Sequence, residues 1–322
     1  MQVLVTGATG KVGNAVARAL AARGDQVRAL VRKPGAGLPD GVEPVPGDVT
    51  RPDTVAAAVE GCELVFNAMG IPEQWLADDE EFHRVNARGT EAVVRAAAAA
   101  GVRRVVHTST IDVFHAEPGE RFDESSLADY PKGTPYERSK QRAEELALAA
   151  AEGTEVVMVN PAAVYGLGPI ASPSFERDLF DPVVRKRRAA APALPPGGCG
   201  VVFSEGVARG HLLAADRGRQ GERYILCDRH ITLKGLAEAA VIAAGRGFVP
   251  PVLPDGLAGA MAALGEPLAR LIGKPPLLPR GQLYFFRWNA TPDSSKAQDE
   301  LGWEPTPLER GLDETLTSMG LV

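Results

Sequence analysis

Tyr136 and Lys140 are the residues of this chain whose types and spacing most directly suggest chemistry. They lie four positions apart in a segment of helical pattern, so both side chains share one helical face. A phenol titrates near about 10, and an adjacent ammonium group is expected to lower that pKa. A phenol tuned in this way can give a proton to a carbonyl oxygen or take one from an alcohol. The pair therefore predicts a general acid/base, although the same spacing occurs by chance in many helices.

A glycine-rich turn near the first residue is the second chemical feature. An apolar strand at 2–6 leads into TGATGKVG at 6–13, and an amphipathic helix follows to about Arg23. In such a strand–turn–helix, Gly7 permits the tight turn, Gly10 lets a pyrophosphate approach the backbone and Gly13 lets the helix pack closely. The free N–H groups of the helix N-terminus then face the anion. The predicted phosphate-binding residues are Gly7, Thr9, Gly10, Lys11, Val12 and Gly13.

The residue after the second strand bears on the choice of dinucleotide. That strand, Gln26 to Val31, ends at Arg32-Lys33, about 20 residues past the glycines, where an NAD-binding protein places a carboxylate on the ribose hydroxyls. No carboxylate stands there, and an arginine can hold a phosphate with two hydrogen bonds. Arg32 therefore favours NADP(H), with NAD as the alternative; a solvated surface pair is the other interpretation.

Two hydroxyl residues follow a strand in the middle of the chain. The strand at 105–108 runs into Ser109-Thr110, and in a doubly wound sheet such a strand end faces the cofactor crevice. A hydroxyl at this place can hold a substrate oxygen near Tyr136. Strand-end hydroxyls that bond only to backbone are the alternative.

The order of elements predicts an α/β fold. Strands alternate with helices through the first half of the chain, which is typical of a doubly wound parallel sheet, the Rossmann fold. Proline and glycine cluster after Asn160, which indicates a smaller C-terminal α/β substrate lobe with a helix near 257–272. Residues 201–226 are interpreted as a return to the main sheet. The predicted domains are 1–165 plus 201–227 for the dinucleotide, and 166–200 plus 228–322 for the substrate.

Bulk properties set limits on function. The chain has 322 residues, a net charge of −6 and a pI of about 5.5, which disfavours nucleic acid or an anionic membrane as a partner. No apolar run reaches the roughly 20 residues that span a bilayer. Three scattered cysteines indicate reduced thiols, and five histidines without ligand spacing predict no metal site. A cytoplasmic location is expected.

The ordered set of motifs resembles the extended short-chain dehydrogenases/reductases, the NAD-dependent epimerase/dehydratase family. Within that family it is most similar to the dihydroflavonol-reductase-like branch, including hopanoid-associated epimerase-like proteins and 3β-hydroxysteroid dehydrogenase relatives. The matching segments are TGATGKVG at 6–13, GDV at 47–49, VNARGT at 85–90, TST at 108–110, YxxxK at 136–140, NPxxVYG at 160–166, GERYIL at 221–226 and ELGW at 300–303.

The resemblance implies a role for each matching residue. Tyr136 would be the acid/base, and Lys140 would lower its pKa and hold the nicotinamide ribose. Thr110 would orient the reacting oxygen, with Ser109 as the fallback. The remaining cofactor contacts that it implies are Asp48 and Val49 at the adenine, and Ala68, Met69, Gly70, Asn86, Pro161, Ala163 and Val164. The sequence departs from the family at 67–70, where NAMG replaces His-x-Ala-Ala, and at Phe114, where many sugar enzymes have tyrosine.

Three functions are compatible with these features. The first is an NADP(H)-dependent reductase or alcohol dehydrogenase for a small or medium carbonyl substrate. The second is a nucleotide-sugar epimerase or dehydratase, which would need cations for a diphosphate, such as Arg270, Arg280 and Arg287. The third is a nucleotide sensor without activity, against which the Tyr/Lys pair counts. Alanine-rich helix faces at 91–100 and 143–151 could also support a homodimer.

Overall fold

The structure is a computed structural model that describes residues 1–33, 37–170 and 173–322. Twelve strands are assigned within these residues. In chain order they are β1 (Gln2–Thr6), β2 (Gln26–Val31), β3 (Val42–Pro46), β4 (Leu64–Asn67), β5 (Arg104–Thr108), β6 (Arg121–Phe122), β7 (Glu155–Pro161), β8 (Ala163–Tyr165), β9 (Gly198–Phe203), β10 (Arg223–Leu226), β11 (Arg229–Thr232) and β12 (Thr291–Pro292).

Eleven α-helices accompany the strands in the described residues. They are α1 (Lys11–Arg23), α2 (Pro52–Val59), α3 (Glu80–Phe82), α4 (Gly89–Ala99), α5 (Pro135–Ala149), α6 (Asp181–Val184), α7 (Ser204–Arg217), α8 (Leu233–Ala244), α9 (Asp255–Ile272), α10 (Arg280–Trp288) and α11 (Leu308–Ser318). A π-helical turn at His83–Arg88 joins α3 to α4.

Seven parallel strands form the main sheet, in the order β10-β7-β5-β4-β1-β2-β3. Helices α1 and α7 pack together on one face, and α2, α4 and α5 pack together on the other. The inner strands are largely apolar on both sides, as expected where both faces are covered, and Leu4, Val65 and Val157 are fully buried, whereas the edge strand β3 is partly exposed. The predicted Rossmann-like α/β fold is confirmed.

The strand order reverses between β1 and β4. From β1 the chain continues to β2 and β3 on one side, then returns to β4, β5, β7 and β10 on the other. The connections therefore leave in opposite directions and open a crevice at the carboxyl ends of β1 and β4, where open α/β sheets bind their ligands.

A second sheet of three strands, in the order β11-β9-β8, lies in the C-terminal half. It packs against α8 and α11 around a separate core that includes Tyr165, Phe180 and Leu312. The expectation that the strand near 201 returns to the main sheet is wrong, because β9 pairs with β8 and β11. Helix α7 and strand β10 do rejoin the main sheet as expected. The predicted domain boundaries themselves stay a prediction.

Candidate active site

The glycine-rich turn packs directly on the end of β4. Gly7 has a φ of 71°, and a Cβ there would lie 2.5 Å from the Ala68 carbonyl oxygen. A Cβ on Gly13 would lie 2.3 Å from the Gly7 carbonyl oxygen, so helix α1 can begin this close only because residue 13 has no side chain. A Cβ on Gly10, in contrast, would meet only the Gly7 oxygen, at 3.4 Å. The space that a Cβ on Gly10 would enter is otherwise open, which suits the approach of a phosphate.

The neighbours of these glycines differ in exposure. Thr9 is exposed at the tip of the turn, and Val12 is half-buried against the main core. The Lys11 ammonium reaches the other sheet: its Nζ donates to the Gly166 carbonyl at 2.8 Å and lies 3.2 Å from a carboxylate oxygen of the fully buried Glu176. The side chain of Lys11 therefore joins the nucleotide turn to the second lobe.

Asp48 and Val49 lie beside the edge strands, where an adenosine would be held. The Asp48 carboxylate accepts hydrogen bonds from the Thr50 amide at 2.9 Å and hydroxyl at 2.8 Å. Burial works to raise the pKa of Asp48, but these bonds and the charges of Arg32 and Arg84 hold it below its usual value. Arg32 is exposed and near enough to Asp48 for this effect.

The segment after β4 contacts the helices that follow it. A Cβ on Gly89 would lie 2.9 Å from both Met69 Cε and Val49 Cγ2, so these side chains meet over the start of α4. Asn86 bridges two elements: its Oδ1 accepts from the Ile71 amide at 2.8 Å, and its Nδ2 donates to Ser139 Oγ at 3.0 Å. The predicted cofactor residue Asn86 is thus fixed against the helix that carries Lys140.

Helix α5 is well determined by its first turn. Thr134 caps it by accepting from the Glu137 amide at 3.1 Å, and the Glu137 carboxylate accepts from the Thr134 amide at 2.8 Å. Pro135 supplies a favourable first helical residue. This capping box fixes the register that places Tyr136 and Lys140 one turn apart, both toward the end of β5.

Lys140 is buried and held by the backbone. Its Nζ donates to the Thr108 carbonyl at 2.8 Å, and a Cβ on Gly70 would lie 3.9 Å from the same nitrogen. Burial lowers the pKa of Lys140 to about 8, against the opposing charges of Glu144 and Asp112. The ammonium therefore lies beneath the crevice, between the ends of β4 and β5.

Thr110 connects Tyr136 to a buried carboxyl group. Its hydroxyl lies near enough to the Tyr136 phenol to oppose the rise in that group's pKa, and it donates to Asp112 Oδ2 at 3.0 Å. Burial raises the pKa of Asp112 to about 7, and the charge of Glu137 contributes to this shift. Asp112 is a site residue that sequence reasoning missed; its position two residues after a strand-end threonine, where it completes a short turn, is the signal that could have revealed it.

The pKa of Tyr136 shifts in the opposite direction from the one expected. Burial raises it well above its usual value, and the negative charges of Asp112, Glu137 and Glu73 add to the shift, while the Thr110 hydroxyl opposes it. The expectation that Lys140 lowers this pKa is therefore wrong for the protein's own groups. The physical reason is that desolvation and the charges of three carboxyl groups outweigh the opposing effect of the Thr110 hydroxyl.

Ser109 and Thr110 have different surroundings. The Ser109 amide donates to the Val159 carbonyl at 2.8 Å, and its buried hydroxyl has no partner among the described residues. The Thr110 hydroxyl, in contrast, lies near enough to the Tyr136 phenol to affect the pKa of that phenol. The geometry therefore favours Thr110 as the hydroxyl that acts with the phenol, in line with the order of preference above.

A buried chain of polar groups supports the Thr110 backbone. Asn160 Nδ2 donates to the Thr110 carbonyl at 3.0 Å and to Glu144 Oε1 at 2.9 Å, and Glu144 pairs with Arg223 at 2.6 Å. Sequence reasoning did not find this support, because its members come from four separate segments. Pro161 ends β7, and Ala163 and Val164 lie in β8. These three predicted cofactor contacts therefore lie where the two sheets meet.

The chain matches a known family over most of its length. The NAD dependent epimerase/dehydratase family matches residues 3–227. Sterol demethylase protein B of Methylococcus capsulatus is 35% identical over 95% of this chain and 94% of its own. A 4-hydroxy-2-methyl-3-oxo-4-farnesyl-3,4-dihydroquinoline-1-oxide ketoreductase of Stigmatella aurantiaca is 33% identical over 97% and 95%. The solved structure of gox2253 superposes with a TM-score of 0.81 at 29% identity, over 99% and 97% of the two chains.

The protein belongs to the NAD-dependent epimerase/dehydratase family, the extended short-chain dehydrogenases/reductases. The resemblance drawn from its motifs is thereby confirmed. It is an oxidoreductase of the extended short-chain type that uses a nicotinamide dinucleotide. Within the described residues, no helix combines the length and apolarity needed to cross a bilayer.

Proposed function

We propose that the protein is an NADPH-dependent reductase that converts a carbonyl of a small or medium organic substrate into an alcohol. The observation that carries this proposal is the proximity of the Thr110 hydroxyl to the Tyr136 phenol, with the Lys140 ammonium one helical turn along α5, at the end of β5. These three groups converge at the crevice beside the glycine-rich turn. That arrangement supports a proton donor beside the place where we propose that a nicotinamide delivers hydride.

Tyr136 would act as the general acid. Because its pKa is raised, the phenol is protonated at neutral pH and can give its proton to an oxygen that gains negative charge. Thr110 would hold the same oxygen and align it with the phenol. When bound, the cofactor supplies the hydride to the carbonyl carbon. A phenol kept protonated favours reduction over alcohol oxidation, which needs a base.

The described residues fit a dinucleotide. The open side of Gly10 and the free amides that begin α1 can take the pyrophosphate. Lys140 can bond the nicotinamide ribose, and Asp48 and Val49 can contact the adenine. Arg32 lies exposed beside Asp48 and would hold a ribose 2′-phosphate, which is why we propose NADPH in preference to NADH.

The cations considered for a nucleotide-sugar diphosphate are already engaged. Each pairs with a carboxylate: Arg270 with Asp79, Arg280 with Glu266 and Arg287 with Asp255. A sugar diphosphate would have to break such pairs, so the second lobe supports a reductase rather than an epimerase. The ketoreductase relative, whose name describes a farnesylated ring ketone, also supports a reductase.

The test is a panel of carbonyl substrates with NADPH consumption as the readout, run beside sugar nucleotides. Tyr136→Phe should abolish turnover and leave NADPH affinity nearly intact, because it removes one hydroxyl at the reacting oxygen. Tyr224→Phe is the matched control, since its hydroxyl bonds Glu300 at the β10 edge of the main sheet. Full activity in Tyr136→Phe would remove this residue from the mechanism. Tightly bound NAD with turnover only of sugar nucleotides would favour an epimerase.

A further inference from the structure

Thr110 has one hydroxyl proton, and that proton is directed at Asp112. Thr110 Oγ1 donates to Asp112 Oδ2 at 3.0 Å and accepts from the Asp112 amide at 3.3 Å. A threonine hydroxyl offers one donor position and two acceptor positions. The donor and one acceptor are therefore used inside the short 3₁₀ turn at Ile111–Val113, and one acceptor position is left for a group in the crevice.

A carbonyl substrate needs Thr110 in the opposite role. A carbonyl oxygen has lone pairs and no proton, so it can only accept a hydrogen bond. To hold this oxygen beside Tyr136, the Thr110 hydroxyl has to donate. An ionised Asp112 carboxylate competes for the same proton, and a charged acceptor forms the stronger hydrogen bond. With Asp112 ionised, Thr110 can accept from an alcohol but cannot donate to a carbonyl.

A proton on Asp112 reverses the direction of this hydrogen bond. A protonated carboxyl group has an O–H that can donate to Thr110 Oγ1. Thr110 then accepts from both the amide and the carboxyl group of Asp112, and its own proton is free to turn toward the crevice. The heavy atoms need not move, because the same two oxygens take part in both arrangements.

The turn itself does not need the Asp112 carboxylate. The Thr110 hydroxyl caps the turn by accepting from the Asp112 amide, and the Asp112 side chain has no other hydrogen bond among the described residues. A carboxyl group that is only 7% exposed costs free energy to bury. Its one hydrogen-bond partner is a proposed site residue, which indicates that the carboxyl group serves the site and not the turn.

The surroundings of Asp112 keep both protonation states accessible near neutral pH. Burial and the charge of Glu137 raise the pKa of Asp112 to about 7, against the charges of Lys132 and Lys140. Lys132 is buried: its Nζ donates to the Phe114 carbonyl at 2.8 Å and lies 3.6 Å from Glu137 Oε1. Asp112 therefore lies between opposing buried charges, none of which imposes one protonation state.

Other titratable groups near Asp112 stay neutral. In the described part of the chain, the titratable groups that face Asp112 from the elements packed around it are Lys132 before α5, Tyr136, Glu137 and Lys140 on α5, and Cys199 on β9. Burial raises the pKa of the Tyr136 phenol and of the Cys199 thiol, so neither ionises near neutral pH. Asp112 is thus the carboxyl group beside Thr110 that can change its charge there.

We propose that Asp112 is a positioning residue that decides whether Thr110 can donate a hydrogen bond to a carbonyl oxygen. With Asp112 protonated, Thr110 turns its proton toward the carbonyl and holds the substrate for reduction. With Asp112 ionised, Thr110 offers only a lone pair, which suits an alcohol. The inference rests on the proposed reductase function and names the group that selects the carbonyl form of the substrate.

The first experiment follows the Asp112 carboxyl group without any turnover. The full-length purified chain, labelled with ¹³C at the aspartate carboxyl carbons, is titrated by NMR from about pH 5 to about pH 9. Asp112→Asn assigns the signal, which should titrate with a pKa of about 7. Thr110→Val should raise that pKa by about half a pH unit or more, because valine removes the hydrogen bond that stabilises the carboxylate.

The second experiment measures KM for a carbonyl substrate found in the panel above, at about pH 6 and about pH 8, on either side of this pKa. The wild-type KM should be about three- to tenfold higher at the higher pH, the effect of one hydrogen bond. In Asp112→Asn the two KM values should differ less than about twofold, because an amide does not titrate. Lys140 is unchanged in this variant, so its own titration cannot account for the difference.

Glu124→Gln is the matched control for this measurement. It also removes a carboxyl group whose pKa burial raises, but this group is half-buried beside β10, where it accepts from the Ile225 amide at 2.7 Å. The glutamine carbonyl can keep that bond, so the variant should retain the wild-type change in KM. Circular dichroism and NADPH titration verify the fold of each variant.

Either of two results would overturn the proposal. One is an Asp112 signal that does not titrate in this range, or whose pKa is the same in Thr110→Val, because the two side chains would then not share a proton. The other is an Asp112→Asn variant whose KM changes with pH as the wild type's does. The NMR titration needs no substrate, so a lack of carbonyl turnover would count against the proposed function and not against the link between Asp112 and Thr110.

Discussion

Gly10→Ala should separate cofactor binding from folding. Gly10 has a φ of −95° and a ψ of 169°, which alanine adopts freely, and the new Cβ would meet only one oxygen, at 3.4 Å. Alanine should raise the free energy of unfolding by about 0.4–1 kcal/mol, because it lowers the conformational entropy of the unfolded chain. It should lower the same free energy by a similar amount, because alanine caps a helix less well than glycine. The melting temperature should therefore change little. The methyl group would, however, fill the open side where we place the pyrophosphate.

The expected loss of affinity follows from the bonds that the phosphate makes. A charge-assisted hydrogen bond is worth about 1.5–3 kcal/mol, so displacing the phosphate from one backbone N–H should raise the Kd for NADPH about 10- to 150-fold. Gly13→Ala should behave differently. Its Cβ would lie 2.3 Å from the Gly7 oxygen, so α1 must shift by about 1 Å, at a cost of about 1–3 kcal/mol and several degrees of melting temperature.

Fluorescence titration with NADPH and differential scanning calorimetry measure the two effects separately. Gly256→Ala is the control, because nothing lies within 4 Å of a Cβ at that position on α9. Wild-type affinity in Gly10→Ala would show that no phosphate approaches this residue. An unchanged melting temperature in Gly13→Ala would show that the close contact between α1 and the turn is not as described.

Three further predictions concern the site. The rate of carbonyl reduction should decline as the pH rises through about 8, because burial lowers the pKa of Lys140 to about 8 and the ammonium is lost above that pH. Lys140→Arg should remove the decline, since arginine stays charged. A flat wild-type profile across that pH would contradict a role for the Lys140 charge. Thr110→Val should lower kcat about 100-fold and Ser109→Ala far less, since the Thr110 hydroxyl lies near the phenol. Equal losses would refute this distinction. Arg32→Ser should raise the Kd for NADPH about tenfold or more by removing a charged hydrogen bond, and it should leave the Kd for NADH unchanged. An equal loss of affinity for both dinucleotides would show that Arg32 does not contact the 2′-phosphate.

The parts of the fold that depend on residues close together in the sequence could be predicted. The glycine turn at 6–13 predicts a strand before it and a helix after it, and the structure has both. The alternation of strands and helices implies parallel pairing, since antiparallel strands need no such crossover. For the same reason the spacing of Tyr136 and Lys140 was enough to place them one turn apart on α5.

The parts that depend on residues far apart in the sequence could not be predicted. Strand β9 is apolar throughout, so its sequence suits either sheet, and only its pairing with β8 and β11 decides between them. The pKa of Tyr136 is a similar case. The sequence shows the ammonium four residues away, but it does not show burial or the charges of Asp112 and Glu73, which fold in from other segments.

The contact between Lys11 and Glu176 restrains how the molecule can open. Glu176 is fully buried, and swinging the second lobe away from this turn would remove the Lys11 ammonium and leave the carboxylate with the Gly166 amide, a penalty of several kcal/mol for a buried charge that loses its counterion. Wide hinge opening along this seam is therefore disfavoured. We therefore expect the two lobes to stay joined at this contact while a dinucleotide enters or leaves the crevice.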